Sequence, residues 1–158
     1  MTLPAIGHPI TAFKAQSSQG EIDSEALLGQ HLVLYFYPKD NTPGCTTESQ
    51  DFRDLHAQFL ALGCQIIGVS RDSLKSHQSF IDKYALPFAL ISDSDEALCT
   101  QFDVIKLKNM YGKQVRGIER STFLIDKHGT LVQAWRGVRV PDHANEVLQA
   151  VQALATQA

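Results

Sequence analysis

The stretch YFYPKDNTPGCTTE, Tyr35 to Glu48, decides how this chain is read. It closes an apolar run, Leu32 to Tyr37, that reads as a buried strand; Pro38 stops the run because proline cannot donate to a ladder. A short polar loop, Lys39 to Asn41, leads to Thr42. Pro43 has the fixed φ that suits the first position of a helix, which makes Thr42 the expected N-cap. Cys45 then falls in the first helical turn. Backbone N–H groups there lack intrahelical partners, and the helix dipole sets partial positive charge beside the sulfur. Helix N-termini and cationic neighbours lower a cysteine's pKa from about 8.5 to roughly 3.5–7.5, so the position favours a reactive thiolate.

The ordinary fate of a free cysteine is that of a small buried hydrophobe. Around Cys45 stand Pro43, Gly44, Thr46, Thr47 and Glu48, and no apolar periodicity calls for its burial. A thiolate nucleophile needs its target in line with the sulfur and donors for the departing atom. The N–H groups of Gly44 and Cys45 can supply donors, the Thr42 hydroxyl can orient the target, and Pro38, without an N–H, can shield the sulfur from water.

Pro38, Thr42 and Cys45 match the P-x-x-x-T-x-x-C signature of the peroxiredoxins, thiol peroxidases on a thioredoxin-like fold. The longer string YPKDNTPGCTTE, followed in order by GVSRDS, MYGK and RSTFLID, resembles the bacterioferritin comigratory protein (PrxQ) branch, from about Leu3 to Leu154. The resemblance implies an arginine reaching over the thiolate, at Arg120, and an acidic partner for that arginine, at Glu48. It also implies a resolving cysteine either five residues after Cys45 or near the middle of the following helix. Those positions hold Gln50 and Phe80. The expectation is therefore a one-cysteine peroxidase acting on hydrogen peroxide and organic hydroperoxides, with thioredoxin, glutaredoxin or glutathione as external reductant. Cys64, at a strand start, and Cys99, among Ala97, Leu98 and Phe102, are expected to be structural and only secondarily resolving candidates. A non-enzymatic peroxide sensor and a dithiol–disulfide oxidoreductase are the alternatives, the second weakened by the lack of any C-x-x-C.

The remaining chain agrees with one domain, 1–158, of α/β class. Thr11–Ala15 and Glu21–Ile22 flank a turn-rich SSQG as a small hairpin, and Ser24 is expected to cap a helical turn through Leu28, closed by Gly29. Phe52, Leu55, Phe59 and Leu62 recur at helical spacing up to Gly63. Cys64–Val69 reads as a second buried strand. A helix capped by Asp72 or Ser73 follows, with Leu74, His77, Phe80, Ile81 and Tyr84 on one face before Pro87. Phe88–Ile91 is a short strand, Asp95–Phe102 a helix, and Val104–Glu119 a long connection. Ser121–Ile125 and Leu131–Trp135 form a hairpin around DKHG. Val140, Pro141 and Asp142 open a last helix with Ala144, Val147, Leu148, Val151 and Leu154 on one face. This order predicts a central mixed sheet with helices on both faces, the order of thioredoxin-like folds.

Composition sets the outer bounds. A hydrophobic fraction of 44%, a charged fraction of 20% and a net charge of −3 suit an ordinary globule and favour neither nucleic acid nor an anionic membrane. The first residues, MTLPAIGHPITAF, lack a basic stretch followed by an apolar one, and no run reaches membrane-span length, so a cytoplasmic protein is expected. The six histidines show no metal-ligand spacing, and neither metal nor cofactor is expected. Lys106, Lys108, Lys113 and Arg116 around Tyr111 read as a solvated basic connection. Trp135 reads as core or rim. The resemblance implies a monomer.

Overall fold

A computed structural model describes residues 4–156; the outermost residues of the expected 1–158 domain, including Leu3, lie outside the described residues. In chain order the elements are β1 (Lys14–Ser17), β2 (Gly20–Asp23), a 3₁₀ turn (Ser24–Leu27), β3 (His31–Phe36), α1 (Pro43–Ala61), β4 (Cys64–Ser70) and α2 (Leu74–Tyr84). Then come β5 (Ala89–Ser92), α3 (Ala97–Gln101), β6 (Ile105–Met110), β7 (Lys113–Ile118), β8 (Ser121–Ile125), β9 (Leu131–Arg136) and α4 (His143–Ala155).

Seven strands form one mixed sheet in the order β2-β1-β5-β4-β3-β8-β9. The central trio β3, β4 and β5 is parallel, and the outer strands pair antiparallel. β3 reads as an unbroken apolar run because both of its faces are covered. Val33, Tyr35 and the following Tyr37 pack with Phe52 and Phe59 of α1, Phe80 of α2, and Val147, Leu148 and Val151 of α4. Leu32, Leu34 and Phe36 pack on the other side with Leu98 and Cys99 of α3 and with Phe102. The predicted mixed sheet with helices on both faces is what forms.

Tyr35 ties the sheet to α1. Its hydroxyl lies 2.9 Å from Ser49 Oγ, fully buried. It can cross β4 because residue 68 is glycine: a Cβ there would stand 2.8 Å from Tyr35 Cζ and 2.7 Å from Leu90 Cδ2.

Several local expectations are corrected. The 3₁₀ turn is capped by Asp23, whose Oδ1 accepts from Glu25 N at 3.0 Å, and not by Ser24. Ser24 Oγ instead accepts from Phe13 N at 2.8 Å, tying β2 back to the chain before β1. The first hairpin sits further along than expected, with Ser17 paired to Gly20. Leu74 is 43% exposed, so the buried face of α2 begins at His77. Ser73 caps that helix by accepting from Ser76 N at 3.1 Å.

The largest correction concerns Val104–Glu119, which is not a connection but a second sheet, the β6–β7 hairpin. Tyr111 and Gly112, with φ of 54° and 78°, make its tight turn. Its pattern misled because the hairpin stands apart from the main sheet: Leu107 is 67% exposed and Tyr111 99%, so no face shows the alternation that burial imposes. Arg116 holds it down through two bonds of 2.6 Å to Glu96, which also takes Arg71 at 2.9 Å, and Lys106 pairs with Asp103 at 3.2 Å. Lys113 and Arg116 remain exposed, in keeping with the solvated reading, while Arg116 and Lys106 also pair locally.

Candidate active site

The site forms where β3 runs out. Tyr37 still donates to Val69 O at 3.0 Å, and the half-buried Pro38 ends the pairing. Asn41 turns the chain with a φ of 63°. Thr42 occupies the N-cap position, φ −84° and ψ 153°, but its side chain makes no cap hydrogen bond. The hydroxyl instead donates to Lys39 O at 2.8 Å. Its proton is committed there, so the Thr42 oxygen is left as an acceptor. Pro43 opens α1, and Cys45 stands in the first turn, as expected.

Cys45 is 1% exposed, against the sequence expectation that nothing called for its burial. The cover comes from distant chain. Arg120, just before β8, directs Nη2 at Cys45 Sγ across 3.4 Å and Nη1 at Glu48 Oε1 across 2.7 Å. Its guanidinium lies so near the helix start that a Cβ on Gly44 would stand 3.1 Å from Nη2. A side chain at that position would press on the end of the guanidinium, which would have to give by a few tenths of an ångström.

Glu48 is 1% exposed and not the solvated first-turn acid that was its other reading. Burial pushes its carboxyl up to about 7, while the charge and hydrogen bond of Arg120 pull the other way. Oε2 has no hydrogen-bond partner among the described residues. Burial pulls the Arg120 guanidinium down, but Glu48 and Cys45 together raise it above the ordinary range.

A raised carboxyl pKa has a definite sign in the stability curve. The contribution from Glu48 is fully present below its unfolded value of about 4.5 and is lost as pH rises through about 7. Glu48→Gln should remove that slope. Between pH 4.5 and 7.5 the wild type should lose on the order of 3 kcal/mol relative to the variant, read by urea unfolding at the two pH values. Parallel wild-type and variant curves would show that Glu48 does not titrate in this range.

The other cysteines stand away from the site. Cys64 opens β4 opposite His31, whereas the site lies beyond Phe36, which pairs with Val69. Five residues of strand put roughly 16 Å between those levels. Cys64 is 1% exposed, which removes the exposed-thiol reading, and burial pushes it up to about 12. Cys99 lies across the sheet, in the opposite core, where burial and Asp93 raise it. Phe80 is buried in α2 and Gln50 half-buried in α1.

Four further side chains border the site without having been marked as site residues in the sequence. His143, at the start of α4, packs its ring edge-on between Phe52 and Trp135 and meets Thr122 Oγ1 at 2.8 Å. Burial and then Arg120 lower it to about 4, so its ring is neutral at pH 7. Trp135 therefore belongs to the core wall. Lys108 turns inward and donates to Ile118 O, two residues before Arg120. His77 and Asp40 meet beneath the loop, 2.7 Å apart. Only an amphipathic position hinted at His77, and nothing local at the others.

Comparison with known proteins gives the family and the fold. The AhpC/TSA family description matches residues 6–134. The chain is 54% identical over 157 residues to Peroxiredoxin Bcp of Xanthomonas campestris, covering 99% of this chain and 97% of that protein. With Peroxiredoxin Bcp of Bacillus subtilis it shares 56% identity over 124 residues, 78% of this chain and 79% of that one. Among solved structures, Xanthomonas campestris Peroxiredoxin Q aligns with a TM-score of 0.86 at 56% identity, covering 90% of this chain and 91% of that chain. A mutant of Xylella fastidiosa PrxQ aligns with a TM-score of 0.92 at 47% identity, covering 98% and 99%.

Proposed function

The chain belongs to the AhpC/TSA family, as a thioredoxin-like peroxiredoxin of the Bcp/PrxQ kind and hence a thiol peroxidase, and from that premise we propose that Cys45 is its peroxidatic thiol. One observation carries the assignment: Cys45 Sγ lies in the first turn of α1 with Arg120 Nη2 at 3.4 Å, and Arg120 is itself held by Glu48. The Cys45 thiolate attacks one oxygen of the hydroperoxide. An S–O bond forms as the O–O bond breaks, and sulfur is oxidised to sulfenic acid while the leaving oxygen departs, with a proton, as water or an alcohol. Gly44 and Cys45 N–H groups and Arg120 meet the charge growing on the oxygens. Thr42 orients the substrate as an acceptor, Pro38 closes the loop side, and Glu48 aims the arginine.

The substrates proposed are hydrogen peroxide and organic hydroperoxides. A structure of the Xanthomonas campestris bacterioferritin comigratory protein, described for alkyl peroxide reduction, is 56% identical to this chain with a TM-score of 0.86, which supports the organic class. An external thiol completes the cycle. It attacks the sulfenic sulfur, water leaves, and a second thiol releases Cys45 as the reductant becomes a disulfide. Thioredoxin, glutaredoxin and glutathione are the proposed reductants, in a reducing cytoplasm that suits three free cysteines. The protein is taken as a single 1–158 domain acting as a monomer. A non-enzymatic sensor would share the first step and differ in turnover, so steady-state assays with the three reductants separate the two.

The one-cysteine cycle has its own test. After one equivalent of peroxide with a sulfenic-acid trap present, intact-mass spectrometry should find the adduct on Cys45, with Cys64 and Cys99 still alkylatable after denaturation. Disulfide formation needs Cα atoms roughly 4.4–6.8 Å apart, which neither cysteine meets without local unfolding. A rapid loss of two hydrogens, mapped to Cys45–Cys64 or Cys45–Cys99, would replace the one-cysteine scheme with an internal disulfide.

A further inference from the structure

The loop that presents Thr42 is pinned by a buried pair outside the reacting groups. Asp40 is 5% exposed, and its carboxylate collects three donors. Tyr37 OH reaches Oδ1 at 2.6 Å; Ser76 Oγ and His77 Nδ1 reach Oδ2 at 2.8 and 2.7 Å. The Asp40 N–H donates to Asp72 Oδ2 at 3.0 Å, which Ser70 Oγ also contacts at 2.6 Å. His77 is fully buried, and its Nε2 lies 2.9 Å from Ile91 O. A carbonyl can only accept, so Nε2 carries a proton. Tyr37, Ser76 and His77 thus converge on one carboxyl group, and His77 is anchored at both ring nitrogens.

A metal reading of the same cluster is less apt. Ligand-capable atoms of Asp40, Asp72 and His77 lie within 4.8 Å of one another, but Asp40 Oδ2, Asp72 Oδ2 and both ring nitrogens already have hydrogen-bond partners.

What the pair holds is reaction geometry. Asp40 stands between Lys39, whose carbonyl receives the Thr42 hydroxyl, and Asn41, whose left-handed turn leads into Thr42. The loop is thereby fastened to α2 through Ser76 and His77, to β5 through Ile91 O, and to the end of β4 through Asp72. Releasing Asp40 frees the segment that sets both the Thr42 oxygen and the start of α1.

We propose that Asp40 and His77 are positioning residues for the peroxide step, a buried hydrogen-bonded clamp that keeps residues 38–42 in the peroxide-receiving conformation. The inference rests on Cys45 and Thr42 forming the peroxide site. The test compares Asp40→Asn, His77→Leu and His77→Asn with wild type, and Val151→Ala in α4 serves as a destabilised control. Oxidation of Cys45 by hydrogen peroxide is followed with a sulfenic-acid trap, and reduction of the sulfenic acid with dithiothreitol is timed separately. Asp40→Asn and His77→Leu should slow oxidation on the order of tenfold to hundredfold, the scale of a misplaced reacting group, with reduction within about twofold of wild type. His77→Asn, which can still donate to Asp40, should recover part of the loss. Val151→Ala should change neither step.

Wild-type oxidation rates in folded His77→Leu, or losses matched by Val151→Ala at equal stability, would overturn the clamp. Where His77→Leu does not fold, an unchanged rate in His77→Asn overturns it instead. If wild-type Cys45 itself fails to trap, the peroxide-site reading fails, and that outcome is distinct from failure of the clamp.

Discussion

Cys45→Ser should reduce peroxide consumption to the uncatalysed background, a fall of at least about 10⁴-fold, while the protein still folds. Serine is close in size to cysteine, and at a site 1% exposed it leaves little void. Its hydroxyl can still accept from Arg120, so the ion pair that holds α1 to β8 survives. What vanishes is the nucleophile. An alcohol at neutral pH is scarcely ionised, and an alkoxide–peroxide product would not be the sulfenic acid that thiols reduce. The checks are stopped-flow peroxide consumption and a urea unfolding curve on the same preparation. Activity near wild type would mean that Cys64 or Cys99 is the reacting thiol, against their burial and raised pKa values.

Arg120→Lys should cost on the order of 10²-fold in the rate of Cys45 oxidation, the loss typical of one oxyanion-type donor. Charge is conserved in this substitution, so the effect isolates geometry. The guanidinium makes two directed bonds at once, Nη1 to Glu48 Oε1 and Nη2 to Cys45 Sγ. A lysine ammonium is a single point of charge on a flexible stem and cannot span both in a fixed fork. Glu48, left with a weaker partner in a buried site, should take up a proton more readily still. The measurement is the peroxide half-reaction under single turnover, since a slow reductant step would mask the loss. Equal rates for Lys and Arg would show that field strength alone, and not the fork, assists the sulfur.

Outside Val104–Glu119 the sequence by itself determined the element order, because apolar periodicity and turn chemistry are properties of neighbouring residues. The run Leu32–Tyr37, the stop at Pro38 and the helix opened by Pro43 were all legible, and they placed Thr42 and Cys45 correctly at a strand-to-helix junction. The motif resemblance added Arg120 and Glu48, which no local pattern could join. Tertiary structure alone decided how that site is housed. Cys45 is buried because Arg120, 75 residues on, and Glu48 close over it. Glu48 is held up to about 7 because burial outweighs a guanidinium brought from 72 residues away. Asp40 meets His77 across 37 residues, and the β6–β7 hairpin hides from periodicity because only its base, at Ile105 and Ile118, reaches the core. Conformational preference acts through the local backbone. Desolvation and ion pairing act through space, so they appear only once the sheet has brought distant segments together.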